Sequence, residues 1–215
     1  NIGPKIIDAS DDSNLTLNLK AGVTDAITVE LGADVTANDD NIVNGGAGYA
    51  NTDLTITATD PDAFDATTNI TGGTGTDTIT ITAVGGGTAT LTNVTGIDVL
   101  NIVDYTTNAA VVVTAGTNAL TPMTVNATTQ DAGEGLNFDG NAATGGLTIN
   151  AGEGADSLDG GTVNDVIYGN GGIDTIDGQE NSATLGADAI YGGAGNDIIN
   201  VSTAETEFSK SSTTA

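Results

Sequence analysis

Histidine, cysteine, arginine and tryptophan are all missing from these 215 residues. Without His the chain lacks the usual general base near neutral pH. Without Cys it has no disulfides, no thiol nucleophile and no thiolate metal site. Three lysines stand against 29 acidic residues, for a net charge of −26. So acidic a chain repels nucleic acid and anionic membrane surfaces, and it repels itself. Aromatic residues make up 3%, so any core is built from Val, Ile, Leu, Ala and Thr methyls. That suits thin, stacked β coils better than a sandwich with a bulky centre. No run approaches the ~20 apolar residues of a membrane span, so no membrane insertion is expected. No helical period is present; each apolar run has period two or is too short. A zinc-protease His-Glu-x-x-His and a Gly-x-Ser-x-Gly elbow are both absent, so these residues are not expected to form an enzyme, and no catalytic residue is assigned.

Glycine and aspartate are abundant, and they are ordered. Residues 151–200 hold five copies of a nine-residue unit, for example Gly169-Asn-Gly-Gly-Ile-Asp-Thr-Ile-Asp177. The sixth place is Asp156, Asp165, Asp174, Asp188 and Asp197; the eighth is Leu158, Ile167, Ile176, Ile190 and Ile199. Glycines fill most first, second and fourth places. One more copy, Gly72–Thr80, stands alone upstream, with Asp77 at its sixth place. A Gly/Asp-rich linker would not set an aliphatic residue two places after each aspartate. Nonapeptides of this kind encode a calcium-bound parallel β-roll.

The unit reads as half a coil. Its glycine-rich half turns tightly; its other half is a short strand whose eighth residue points inward. Eighteen residues complete a coil. Asp156, Asp174 and Asp197 then share one edge, and Asp165 and Asp188 the other. The spacing of 14 between Asp174 and Asp188 implies a bulged loop within Gln179–Leu185. Calcium takes about 6–8 oxygen ligands. The expected ligands are Asp77, Asp156, Asp165, Asp174, Asp188 and Asp197, with turn carbonyls of Gly73, Gly75, Gly152, Gly154, Gly160, Gly161, Gly169, Gly171, Gly192, Gly193 and Gly195. Several calcium ions are implied.

These repeats resemble those of the RTX family of secreted bacterial toxins, proteases, adhesins and S-layer proteins. The resemblance is strong over residues 151–200 and rests on a single copy at 72–80. It implies type I secretion and an extracellular or cell-surface location. Val163 at a fourth place and Asn170 at a second place depart from the glycine pattern and are expected to weaken the sites they line.

Upstream, alternation marks strands at Leu15–Leu19, Ala26–Leu31 and Leu54–Ala58. Polar residues Asp39, Asp40, Asn41 and Asn44 lie between them. Gly45–Gly48 opens like a repeat whose aspartate arrives late, as Asp53. Asp60, Asp62 and Asp65 cluster about Pro61. These four aspartates are secondary calcium candidates; the alternative is ordinary turn chemistry. Further strands follow at Thr78–Ala83, Thr88–Thr92, Ile97–Val103, Ala110–Thr114, Met123–Ala127 and Leu147–Asn150. Asn93–Val103 also resembles rungs flanking the repeats in RTX-type surface proteins.

The expected fold is all-β, a right-handed parallel β-solenoid ending in an RTX calcium β-roll. Residues 1–68 form a β-rich segment (solenoid rungs or a small sandwich) and 69–150 form rungs with one repeat. Residues 151–200 form the roll, and 201–215 a tail that is either a signal remnant or a frayed linker. The start at Asn1 reads as a processed or excised piece. The expected function is a calcium-dependent structural subunit of an S-layer or extracellular filament, in a calcium-bridged homo-oligomer or lattice. The alternatives are a calcium-stiffened adhesin segment or the C-terminal part of a secreted enzyme.

Overall fold

The computed structural model describes residues 5–9, 16–19, 26–31, 41–44, 53–83, 85–104, 109–116, 122–178, 187–200 and 207–209. The first strands are β1 (Lys5–Ala9), β2 (Thr16–Leu19), β3 (Ile27–Leu31), β4 (Asn41–Asn44), β5 (Leu54–Ala58), β6 (Asn69–Thr71) and β7 (Thr78–Ala83). Next come β8 (Gly87–Leu91), β9 (Val94–Thr95), β10 (Val99–Asp104), β11 (Val111–Ala115), β12 (Met123–Asn126), β13 (Leu136–Asp139) and β14 (Leu147–Asn150). The last are β15 (Ser157–Asp159), β16 (Val166–Tyr168), β17 (Thr175–Asp177), β18 (Ala189–Tyr191), β19 (Ile198–Asn200) and β20 (Glu207–Ser209).

They form a parallel β-solenoid. One ten-stranded sheet runs β1-β3-β5-β7-β10-β12-β14-β16-β18-β20. Opposite it lie a four-stranded sheet, β2-β4-β6-β9, and a six-stranded sheet, β8-β11-β13-β15-β17-β19. All pairings among the described strands are parallel, including β1 with β3 and β2 with β4. The N-terminal sandwich is therefore not adopted. The ten-stranded sheet crosses the compositional boundaries at 68/69 and 150/151 without interruption. Asn41 and Asn44, read as part of a polar turn, lie within β4. In the tail, Glu207–Ser209 pairs with β18 as a further rung. The Gly45–Gly48 run and the Gln179–Leu185 loop lie outside the described residues, as do Asp39 and Asp40.

The coil tightens toward the repeats. Thr55 pairs with Thr78, a step of 23, whereas Thr148 pairs with Val166, a step of 18. The step from Val166 to Ala189 is 23, which is 18 plus the five inserted residues. Alternation sets the core. Val29, Ile56, Ile79, Leu100, Val125, Ile149, Ile167 and Ile190 stack as one buried column beneath the large sheet. Burying each such side chain contributes roughly 1.5–3 kcal/mol. Ala89, Val113, Phe138, Leu158 and Ile176 form the facing column.

One helical turn departs from the all-strand expectation. Pro61–Ala63 is a 3-10 turn, started by the fixed φ of Pro61 and capped by Asp60, whose carboxylate accepts from the Asp62 amide. Thr90 of β8 donates to the Phe64 carbonyl at 2.8 Å. The six-stranded sheet thus begins on this turn, and there the coil passes from one back sheet to the other.

Candidate metal centre

The sixth-place aspartates close the entry of each repeat strand. On the edge leading into the six-stranded sheet, the Leu136 amide donates to Asp156 Oδ1 at 2.7 Å. The Asp156 amide donates to Asp174 Oδ1 at 2.9 Å, and the Asp174 amide to Asp197 Oδ1 at 3.2 Å. On the opposite edge the Leu147 amide donates to Asp165 Oδ1 at 2.6 Å and the Asp165 amide to Asp188 Oδ1 at 2.8 Å. The two edges carry the pairs that the nine-residue spacing predicts, and the inserted loop leaves the register intact.

One oxygen of each carboxylate is therefore spent on the fold. The second oxygens of Asp156, Asp174 and Asp197 are buried with no hydrogen-bond partner. An ionised carboxylate in that setting is costly. Burial above all pushes the Asp156 carboxyl up to about 7; the Leu136 amide opposes this, Asp174 adds to it, and the Gly152 amide opposes it. Asp174 is pushed up to about 6, again chiefly by burial, against the Asp156 amide and with the charge of Asp197. On the other edge Asp165 Oδ2 accepts from the Gly161 amide at 2.6 Å.

The glycines explain how oxygens come so close. A Cβ on Gly160 would stand 2.8 Å from Asp165 Oδ2 and 3.0 Å from the Gly178 carbonyl. A Cβ on Gly192 would stand 2.6 Å from Asp197 Oδ2, and one on Gly169 would overlap Asp174 Oδ2. First-place glycines thus leave room where a carboxylate oxygen meets the stacked turns. At the fourth places, a Cβ on Gly172 would overlap the Gly154 carbonyl, and one on Gly195 the Gly172 carbonyl. Gly152, Gly161, Gly171 and Gly193 lie in the same turns. Partnerless carboxylate oxygens beside stacked carbonyls suit a hard cation that takes oxygen ligands. No cluster of three or more carboxylates occurs among the described residues. A cation here would therefore draw most of its shell from the backbone.

Asn170 takes the role of its missing glycine. Its φ is +66°, and its side-chain amide donates to the Ala151 carbonyl at 2.8 Å. Asn enters this left-handed region more readily than other side chains. Gly193, at the same place one coil later, has φ +95°. Val163 is half-buried in its turn.

Upstream, Asp77 is fully buried. Its Oδ1 accepts from the Leu54 amide at 2.9 Å, and its Oδ2 from the Gly73 amide at 2.5 Å. Gly75 lies half-buried in the same turn. The Asp77 amide donates to Asp98 Oδ2 at 2.8 Å. Asp98 was not foreseen as a site residue: Asp98-Val-Leu100 keeps the spacing to the aliphatic place, but no glycine run precedes it. Asp53 falls one place outside the column and accepts from the Thr76 amide at 2.8 Å. Asp60 caps the 3-10 turn, Asp62 accepts from the Thr88 amide, and Asp65 accepts from the amides of Thr67 and Thr68. Asp60 and Asp65 serve turns, Asp62 ties the 3-10 turn to β8, and none of the three is brought to the ladder.

Two hidden units were also missed. Residues 131–139 and 142–150 are nonapeptides in register, with Leu136 and Leu147 at the sixth place. Both leucines are buried. Their signal is Leu-x-Phe-Asp and Leu-x-Ile-Asn, which lacks the aspartate and most of the glycines that make the repeat recognisable.

The family model for the RTX calcium-binding nonapeptide repeat, in four copies, matches residues 150–181 and 182–202. No curated protein and no solved structure matches the chain. The matched residues contain both repeat-edge carboxylate columns, so residues 150–202 are RTX calcium-binding nonapeptide repeats.

Proposed function

We propose that this chain is a structural part of a secreted calcium-dependent protein, a subunit of a bacterial S-layer or of an extracellular filament or matrix. The observation that carries this reading is the column of buried carboxylates whose second oxygens lack partners, in a chain of net charge −26. Calcium between successive turns supplies the missing countercharge. Where free calcium is scarce, the short rungs bury too little apolar surface to offset chain entropy and carboxylate repulsion. Extracellular calcium is around millimolar and matches modules of ~10⁻⁴–10⁻³ M affinity. Binding to the folded form alone then draws folding forward. Such a chain passes a type I secretion channel unfolded and folds on exit.

No catalytic role is proposed within these residues. Repetitive polar columns support assembly instead. On the outer face of the large sheet, Asn150 donates to Asn126, and Asn126 to Asn101, at 3.0 and 3.1 Å. The column continues into the stacked rings of Tyr168 and Tyr191, 4.8 Å apart. With a net charge of −26, such regular columns suit a calcium-bridged homo-oligomer.

Two measurements test the proposal. Circular dichroism in EGTA is expected to show loss of β signal that calcium restores and equal magnesium does not. A fully β spectrum in EGTA, unchanged by calcium, would overturn calcium-driven folding. Electron microscopy with added calcium is expected to show ordered sheets or fibres. Isolated single particles would favour the adhesin segment over the lattice subunit.

A further inference from the structure

The repeat edge facing the six-stranded sheet does not stop where the aspartates stop. The fourth-place carbonyl column reaches one coil further upstream: a Cβ on Gly154 would overlap the Glu134 carbonyl, as one on Gly172 overlaps that of Gly154. The sixth-place carboxylate column does not reach that far, because Leu136 holds the place below Asp156. A cation between the coil of residues 127–135 and the coil of residues 151–156 would therefore meet carbonyls and only one sixth-place carboxylate.

The missing oxygen has a candidate in the same turn. Gln130 is 2% exposed, and its Oε1 is buried with no hydrogen-bond partner. A buried amide oxygen left without a donor is rare and costly. The backbone of Gln130 is fully engaged: its amide donates to the Ala127 carbonyl, and its carbonyl accepts from the Glu153 amide, both at 3.0 Å. The side chain packs against Gly152, where an added Cβ would lie 2.8 Å from Gln130 Cβ. Gly152 in turn presents its amide to the carboxyl of Asp156, whose Oδ2 is the other buried oxygen without a partner at this level. Beside the one amide that Gly152 offers, two buried acceptor oxygens lie in turns lined by stacked carbonyls. That combination calls for a cation and cannot be met by another acceptor.

We propose that Gln130 Oε1 and Asp156 Oδ2 form a capping calcium site at the start of the roll, one coil upstream of the first recognisable repeat. The amide oxygen stands in for the absent carboxylate. The site carries one negative charge where the Asp156/Asp174 level carries two, so it is the weaker of the two and fills after it. It ties the aspartate-bearing coils to the apolar rungs below them. The inference rests on the reading of the roll as a calcium site.

The test is calcium titration of the full chain by isothermal calorimetry, with bound metal counted by equilibrium dialysis. Gln130→Leu removes the oxygen and is expected to bind one calcium fewer per chain, with the tighter sites unchanged. Gln130→Glu restores a carboxylate and is expected to bind the full number, with the weakest site tightened on the order of tenfold. Circular dichroism of both variants in calcium checks that they fold. If Gln130→Leu fails to fold, Gln130→Glu decides alone: an unchanged weakest affinity overturns the site. Equal stoichiometry and equal affinities in wild type and both variants overturn the capping site and leave the roll standing. A wild-type chain that binds no calcium overturns both.

Discussion

Protons and calcium compete for the same buried oxygens, and the competition has a calculable size. In the metal-free fold the Asp156 carboxyl sits at about 7 and Asp174 at about 6. At pH 7 about half of Asp156 and roughly a tenth of Asp174 are protonated. In chains that are folded before calcium arrives, filling the level between them expels about 0.6 proton. The release rises to about 1.4 protons at pH 6 and falls to about 0.1 at pH 8. The same protonation weakens calcium binding at pH 6 by about twentyfold relative to pH 8. Calorimetric titrations in buffers of low and high ionisation enthalpy read the proton release directly, and the affinities read the competition. Stability of the metal-free chain follows the opposite course. Both carboxyls are raised above their unfolded value of 3.8, so the folded state holds protons that the unfolded state has lost. That contribution is fully present below about 3.8 and disappears as pH rises through about 6 and 7. Acid therefore stabilises the metal-free roll, and calcium replaces acid at neutral pH. Buffer-independent heats and a flat affinity from pH 6 to 8 would refute the reasoning. They would mean that these carboxylates are already ionised when calcium binds.

Asp174→Ala is expected to lower calcium affinity and melting temperature more than Asp156→Ala, because Asp174 lies between two carboxylates and Asp156 has one such neighbour; equal losses by calorimetry would show the register to be wrong. Gly172→Ala combines φ +118° with overlap of the Gly154 carbonyl and should cost more than 2 kcal/mol, estimated roughly from the usual range of backbone strain. Gly85→Ala has φ +91° and nothing within 4 Å, so only about 1–2 kcal/mol is expected; paired urea melts compare them. Ile167→Ala opens the buried column between Ile149 and Ile190 and should cost about 2–5 kcal/mol in calcium, while an unchanged urea midpoint would mean that the ion holds the coil without its core.

The roll was legible because its chemistry is local and periodic. An aspartate two places before an aliphatic residue, recurring at nine, prescribes both the edge and the inward column before any contact is known. The 14-residue gap even located the insertion, since a strand that slips by one residue would turn its aliphatic side chain outward. What sequence could not separate was parallel from antiparallel pairing in the first strands. Alternation in Ile27–Leu31 or Leu54–Ala58 describes a half-buried strand and is silent about its neighbour. Only the stack pairs Ile27 with Leu54 in parallel. Register likewise revealed Leu136 and Leu147 as sixth-place residues, because an apolar side chain there looks like any other core position until an aspartate is found one coil above it. The same holds for Asp98 and Gln130. Each lacks the glycine pattern or the carboxylate that marks a repeat, and each acquires its role from what the neighbouring coil places against it.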